Sequence, residues 1–227
     1  MSRDFNGSTD KINCGSPGGL DDEQPFTVSA WVYPDSRGEG SGGAIVAKDS
    51  GAGTGFWLFR YASGDPWSLR FSKDFDVADI DVVTATTLPA GAWQHVTASW
   101  DGTADAANGV KIYINAVEAT YIEQTSGATT ANSDAALLYT IGNDSAAGRT
   151  WDGRIAFVEF HNKVLVASQI QQIMRRPGSL PASLRGFWPL WGASPEQDYG
   201  PFNNSGTLTG TTIHASQPPV LSPWCSF

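Results

Sequence analysis

Charge is scarce in this sequence, and positive charge is scarcer than negative. Only 16% of the 227 residues are charged, and 14 Lys and Arg stand against 23 Asp and Glu, which gives a net charge of −9. An average globular domain carries about 25% charged residues. Nucleic acids and anionic membrane surfaces are bound through basic faces. The composition therefore predicts partners other than nucleic acid or membrane.

Long apolar runs and closely spaced cysteines are also missing. The longest apolar stretches are too short for a membrane-spanning helix, and residues 1–5 lack the apolar core of a secretory signal. Cys14 and Cys225 lie near opposite ends of the chain, without CxxC spacing. Two free thiols are one interpretation. The other is a disulfide, which requires that the chain ends meet and that the protein leaves the cytosol.

Several catalytic motifs are absent as well. The three histidines, His95, His161 and His214, have no His or Cys partner at zinc-ligand spacing. No Gly-x-Ser-x-Gly marks a nucleophile elbow, and the glycine runs at 38–43 and 51–55 lack the Lys-Ser/Thr of a phosphate loop. The sequence therefore gives no support to zinc, serine-hydrolase or nucleotide chemistry.

Most of the remaining sequence alternates apolar and polar residues in short runs, a pattern typical of β-strands. Turn residues separate the predicted strands, which cover 26–33, 44–48, 55–61, 68–72, 93–100, 110–115, 138–141 and 153–160. One helix is predicted at Ala167–Met174, and it ends before Pro177-Gly178. Many short strands and one short helix predict an all-β sandwich or barrel.

The order of these segments resembles the laminin-G-like domains of the concanavalin A-like lectin/glucanase superfamily. The resemblance covers residues 3–175 and rests on FTVSAWVY at 26–33, AWQHVTASWDG at 92–102, VKIYIN at 110–115, IGN at 141–143 and WDGRIAFVEF at 151–160. It implies a jelly-roll β-sandwich of two antiparallel sheets, one of them concave. We expect a single domain over residues 1–227.

The C-terminal segment, residues 177–227, is rich in Pro, Gly and Trp. Its GFWPL at 186–190 and DYGPFNNSGTL at 198–208 resemble a segment that such domains usually carry before their first strand. The resemblance implies a circularly permuted order, in which this segment packs on the sandwich and adds a neighbouring strand to residues 3–12. Chain termini of compact domains often lie close together, so permutation is physically permitted.

The last part of the sequence contains RRPGSL at 175–180 and WPLWG at 188–192. With this ending, the chain resembles laminin-G-like structural proteins of tailed bacteriophages. This implies a non-catalytic virion component, assembled in the host cytoplasm and displayed on the head or tail, with a glycan-binding role. Its partners would be other virion proteins, further copies of itself, or glycans. One alternative is a purely structural capsid cement or assembly protein without glycan affinity. Another is a glycoside hydrolase of the same superfamily.

The hydrolase alternative depends on paired carboxylates. Retaining relatives carry a Glu-x-Asp-x-x-Glu strand, and its counterpart here is Asp74-x-Asp76-x-x-Asp79, with Asp81 beyond it. The shorter aspartate replaces each glutamate. Cleavage needs carboxyl groups about 5–9.5 Å apart on either side of the sugar bond. We therefore expect a solvated acidic loop or sheet face without catalysis.

Many relatives hold one Ca²⁺ at the rim of the sandwich, so the resemblance also implies candidate calcium ligands. These are Asp10, Asp198, Asn203 and Asn204, whose oxygens are the donors that calcium prefers. Relatives often have an Asp where this chain has Ala156, and that departure removes a ligand. The alternative is that the four residues shape turns.

Aromatic residues supply the candidate ligand site. Trp67 follows Gly64-Asp65-Pro66, and Trp151 precedes Asp152-Gly153, so both are predicted on loops. Most of the nine tryptophans are expected in the core. We predict an exposed platform of Trp67 and Trp151, with Tyr61 and Asp65 as polar companions.

Overall fold

The computed structural model describes residues 1–16, 18–38, 42–50, 55–61 and 67–221, with only the backbone for 57–61. The strands in these ranges are β1 Ser2–Asn6, β2 Lys11–Asn13, β3 Phe26–Pro34, β4 Ala44–Asp49, β5 Gly55–Tyr61, β6 Ser68–Lys73, β7 Ile80–Thr87, β8 Gln94–Trp100, β9 Val110–Ile114, β10 Val117–Glu118, β11 Tyr121–Thr125, β12 Leu138–Ile141, β13 Asp152–His161, β14 Leu184–Trp188, β15 Thr207–Thr209 and β16 Thr212–His214. The helices are α1 Ala106–Gly109, α2 Ala167–Arg175 and a 3-10 turn at Gly18–Leu20.

The strands form two antiparallel sheets. Sheet A has the order β10-β9-β8-β3-β13-β1-β16, and β14 also pairs with β13. Sheet B has the order β11-β7-β6-β5-β4-β12-β2-β15. This is the all-β jelly-roll sandwich that the sequence predicted. Over the described ranges, no helix combines the length and the hydropathy needed to cross a membrane.

Aromatic side chains fill the space between the sheets. Alternation along β3 turns Phe26, Val28, Ala30 and Val32 inward. The Phe26 ring centroid lies 4.8 Å from that of Phe56 in sheet B and 5.2 Å from that of Phe160 in β13. Ring contacts of this kind join the two layers into one core.

The outer face of sheet A, which points away from sheet B, is buried too. A second apolar cluster lies there and contains Trp31, Ala156, Phe157, Leu184 and Phe187. Helix α2 covers the neighbouring part of this face, where Ile170 and Ile173 pack against Tyr113 of β9. The helix predicted at Ala167–Met174 is confirmed, with Arg175 as one further residue.

The C-terminal segment contributes strands to both sheets. In sheet A, β16 pairs with β1 and β14 pairs with β13, while in sheet B β15 pairs with β2. A buried ion pair between Arg3 and Glu196, with Nη2 and Oε2 2.8 Å apart, adds to this connection. The strand expected beside residues 3–12 thus comes from residues 207–214.

A buried charge network closes one end of the sandwich. Lys48 and Lys73 are cross-strand neighbours of Phe56, so both point into the core. Their ammonium nitrogens lie 2.8 and 3.1 Å from the Asp134 carboxylate. Burial alone would raise the pKa of Asp134, but Lys73 and Lys48 outweigh it and hold the pKa below its ordinary value.

Replacement of Asp134 tests this network. Asp134→Asn is expected to lower the free energy of unfolding by about 3 kcal/mol, because the buried Lys73 loses its carboxylate partner while Lys48 keeps only Asp21. Because the folded pKa is lowered, the stabilisation is present above the ordinary pKa of 3.8 and is lost as the pH falls below it. Urea unfolding followed by circular dichroism measures the change. The exposed Asp76→Asn serves as control, and a loss for Asp134→Asn below about 1 kcal/mol contradicts the assignment.

Candidate functional site

A concave region lies between the outer face of sheet A, the end of helix α2 and the C-terminal segment. We call it the indole groove. Its volume is about 310 Å³, and it is lined by Trp31, Trp93, Asn115, Met174, Arg175 and Pro219. Aromatic walls with a few polar groups are typical of a small-ligand site.

Hydrogen bonds fix both indole rings of the groove. Trp31 Nε1 donates to the carbonyl oxygen of Met174 at 3.1 Å, and Trp93 Nε1 donates to Ser216 Oγ at 3.0 Å. Trp31 is buried, whereas Trp93 is half-buried and its ring meets that of Tyr33 edge-on at 5.7 Å. Both indole N–H groups are hydrogen-bonded within the protein. Trp93 therefore offers a ligand only the surface of its ring, which Ser216 and Tyr33 hold in a fixed orientation.

Buried polar side chains continue the sheet next to Trp31. His95 stands opposite Trp31 across the strands, and Thr97 stands opposite Ser29. His95 Nδ1, Ser29 Oγ and Thr97 Oγ1 are buried and have no hydrogen-bond partner within the described part of the chain. Burial lowers the pKa of His95 to about 3, so the imidazole is neutral near pH 7 and adds no charge beside the groove.

Arg154 contacts Tyr33, whose ring supports Trp93, but the charge of Arg154 is already neutralised. Its guanidinium carbon is 4.3 Å from the centre of the Tyr33 ring. Its nitrogens lie 2.9 Å from the carboxylate of Asp35 and 3.5 Å from that of Asp4. Of the lining residues, Arg175 is the one that brings charge to the groove.

The predicted platform of Trp67 and Trp151 does not form. Trp151 is 1% exposed and belongs to the core between the sheets, so its prediction as a loop-borne exposed residue is wrong. The backbone N–H of Trp151 donates to the carbonyl oxygen of Gly142 at 2.8 Å, which holds this loop against the end of β12. Trp67 is half-buried, with Arg37 5.9 Å from its ring centre. The side chain of Tyr61 and all of Asp65 lie outside the described residues.

Asp198, one of the predicted calcium ligands, organises a loop with its carboxylate. It is 2% exposed and accepts the N–H groups of Phe187, Gly200 and Asn204 at 2.8, 2.7 and 2.8 Å. Asn203 is exposed and adopts a left-handed conformation with φ of 53°. Both oxygens of Asp198 are therefore engaged in shaping this turn.

The other predicted calcium ligands are used in a similar way. Asp10 accepts the N–H of Asn6 at 3.1 Å, and burial raises the pKa of Asp10. The carbonyl oxygen of Asn204 accepts Trp188 Nε1 at 2.9 Å. Within the described ranges, no group of three or more His, Cys, Asp or Glu side chains could hold a metal ion. The geometry favours turn shaping for these residues.

The acidic run at 74–81 forms a closed turn and an ion pair. Asp79 accepts the N–H of Phe75 at 3.0 Å, and Asp81 pairs with Arg70. Burial raises the pKa of Asp74, and the nearby Asp79 adds to the rise. Because Asp74 and Asp79 lie together on one short turn, they are not placed on opposite sides of a bound sugar.

A buried Ser–His–Glu arrangement was missed by the sequence reasoning. His161 Nδ1 lies 3.0 Å from Ser183 Oγ, and its Nε2 lies 3.0 Å from Glu159 Oε2. All three side chains are buried, and Glu159 Oε1 also accepts the N–H of Gly178. A catalytic triad must present its serine to a substrate. This arrangement instead joins β13 to Gly178 and Ser183, the two ends of the segment 178–183.

The sequence predicts Trp31, Trp93 and Asn115 on strands, Met174 at the end of the helix and Pro219 in the C-terminal segment, and it predicts no site from these residues. One signal was available. FTVSAWVY places Trp31 and Tyr33 on the face opposite Phe26 and Val28, and large apolar residues on both faces indicate a strand that is covered on both sides. Asn115, Arg175 and Pro219 come from distant segments, and only the tertiary structure brings them to Trp93.

Asp198→Asn separates turn shaping from calcium binding. We expect it to lower the free energy of unfolding by about 1–3 kcal/mol, because an Asn amide has only one oxygen. That oxygen can still accept the N–H groups of Phe187 and Gly200, but the NH2 group in the place of Oδ2 leaves the N–H of Asn204 without its acceptor. The loss should be the same with EDTA and with added calcium. Asn203→Gly, at a position with positive φ, is the near-neutral control. A different result contradicts turn shaping: calcium raises the free energy of unfolding of the unaltered protein but not that of Asp198→Asn.

Solved structures with the same fold come from several sources. A "putative carbohydrate binding protein" from Bacteroides ovatus matches with a TM-score of 0.68 and 18% identity, over 97% of this chain and 61% of that one. This chain therefore spans less than two thirds of that protein's length. Domain 4 of AbnA, an extracellular arabinanase from Geobacillus stearothermophilus solved with arabinotriose, matches with a TM-score of 0.54 and 22% identity, over 76% of this chain and 75% of that one.

A third similar structure is tailspike protein 2 of the Escherichia coli O157:H7 bacteriophage CAB120. Its TM-score is 0.52 and its identity 17%, over 82% of this chain and 26% of the tailspike. No curated protein sequence matches this chain. A laminin G family model, described as concanavalin A-like lectin/glucanases superfamily, matches residues 6–171, well over half of the sequence. The chain belongs to the concanavalin A-like lectin/glucanases superfamily.

Proposed function

We propose that this protein is a non-catalytic module that binds carbohydrate in the indole groove. The observation that carries the proposal is the half-buried Trp93 ring, held by Ser216 and Tyr33 beside the side chains of Asn115 and Arg175. Sugars present apolar C–H faces and a rim of hydroxyl groups. A fixed indole face with an amide and a guanidinium beside it complements both features.

Two similar structures support this function. One is named for carbohydrate binding, and the other was solved with a bound arabinose oligomer. The similarity is one of fold, so the ligand of this chain must come from its own groove. The absence of catalysis is part of the proposal. Asp74 and Asp79, the counterparts of the two glutamates, accept hydrogen bonds from the Asn132 side chain and from the backbone N–H of Phe75.

We further propose that the module is displayed on a phage virion, where it contacts other virion proteins or further copies of itself. The sequence likeness of residues 175–192 to phage structural proteins supports this location, as does the fold shared with the tailspike. Immunogold labelling of purified phage particles should place the protein on the head or the tail. Particles that lack the protein contradict this part of the proposal.

Loss of the Trp93 ring tests the site. On a panel of neutral and acidic oligosaccharides, we expect Trp93→Ala to weaken binding by at least about tenfold, as measured by calorimetry, because the stacking surface is removed. Trp67→Ala is the matched control and should stay within about twofold, since Trp67 does not line the groove. A thermal melt confirms that both variants fold. Equal losses in the two variants, or a panel without any bound sugar, contradict the proposed function.

A further inference from the structure

Positive charge is concentrated in one part of this acidic chain. Residues 160–195 contain no Asp or Glu, yet they carry Lys163, Arg175, Arg176 and Arg185, in a protein with a net charge of −9. Residues 199–227 contain no charged side chain except a histidine. Helix α2 and the C-terminal segment form two walls of the indole groove. Those walls therefore carry arginine without any carboxylate.

A second groove adjoins the first. We call it the arginine groove. Its volume is about 490 Å³, and it is lined by Gln172, Arg175, Arg176, Ser179 and Leu221. Arg175 lines both grooves, and its carbonyl oxygen accepts the N–H of Leu221 at 2.8 Å. Residues 219–221 therefore run alongside Arg175, where the two grooves meet. A single extended ligand can reach both grooves.

The arginines of these grooves differ from others on the surface. Arg70 pairs with Asp81, Arg154 with Asp35 and Arg185 with Glu23. Arg175 and Arg176 have no carboxylate partner among the described residues. Like charges side by side without counter-charge destabilise a fold slightly unless a ligand supplies the missing anion. A guanidinium binds a carboxylate or sulfate through two parallel hydrogen bonds.

We propose that the ligand of the indole groove is an acidic glycan, whose carboxylate or sulfate groups bind Arg175 and Arg176 while a sugar ring packs on Trp93. This inference rests on the proposed carbohydrate-binding function and adds the chemical class of the ligand. Asn115 is neutral and His95 is uncharged, so the charge that selects the ligand comes from the two arginines. The anion completes the charge balance that the chain itself leaves open on this face.

Calorimetry with three matched probes tests the ligand class. The probes are a hexamer of galacturonic acid, the same hexamer as its neutral methyl ester, and a sulfated galactose hexamer. At about 20 mM salt we expect at least one of the two acidic probes to bind about tenfold or more tightly than the ester. Affinity for it should fall as salt is raised to about 300 mM, because ions screen the pairing. The comparison of the two acidic probes tells carboxylate from sulfate.

Variants locate the anion. We expect Arg175→Gln to lower the affinity for the acidic probe by about five- to tenfold, while the affinity for the methyl ester changes by less than about twofold. Arg176→Gln should act in the same direction. Lys163→Gln is the matched control, since Lys163 lies in the same carboxylate-free stretch but lines neither groove. Thermal melts show whether each variant is folded.

The failures of the two proposals are distinguishable. The acidic-glycan inference is overturned if the ester binds as tightly as the acids and if this binding is lost in Trp93→Ala but not in Arg175→Gln. That result leaves the carbohydrate-binding function in place. No binding of any probe overturns both.

Discussion

Sheet A must be shielded from water on both of its faces, and most of the structure follows from this constraint. The inner face packs on sheet B through Phe26, Phe56 and Phe160. The outer face carries Trp31, Phe157 and Phe187, which no third sheet covers. Burying a large aromatic side chain stabilises a fold by about 1.5–3 kcal/mol. Helix α2 and residues 184–220 provide the cover on that side.

The indole groove lies at the edge of this cover. Helix α2 shields the face over β9, and the chain at 216–221 shields another part, but Trp93 remains half-buried between them. The segments that complete the fold are thus the same ones that form the walls of the site. Because they carry arginine without carboxylates, the cover also determines the charge of the groove. The stability of sheet A and the charge of the groove therefore depend on the same segments.

The sequence was sufficient for the architecture where the local pattern and the tertiary structure agree. Alternation in 26–33 and in 153–160 predicted β3 and β13 within one or two residues, and the periodicity of Ile170 and Ile173 predicted α2. Short strands such as β2, β15 and β16 were not predicted, because three residues are too few to show a period. Their order follows from pairing between chain ends that are far apart in sequence.

The site was harder to predict than the fold. Trp151 stands beside turn residues, which suggested exposure, but a backbone hydrogen bond to Gly142 turns it into the core. Asp198 has the chemistry of a calcium ligand, yet the backbone N–H groups of Phe187, Gly200 and Asn204 use its oxygens. In both cases the decisive contact is made by the backbone, whose position no residue-type pattern reveals. The groove depends on segments that are separated by up to about 200 positions, as Trp31 and Pro219 are.

A crystal structure of the protein grown with a galacturonic acid oligomer tests the central claim most directly. The account predicts a sugar ring against the face of Trp93, with its carboxylate within hydrogen-bond distance of the Arg175 guanidinium. A saccharide bound elsewhere, such as at the loops around Trp67, would contradict it, and so would a groove occupied by residues 222–227 while the oligomer stays in solution.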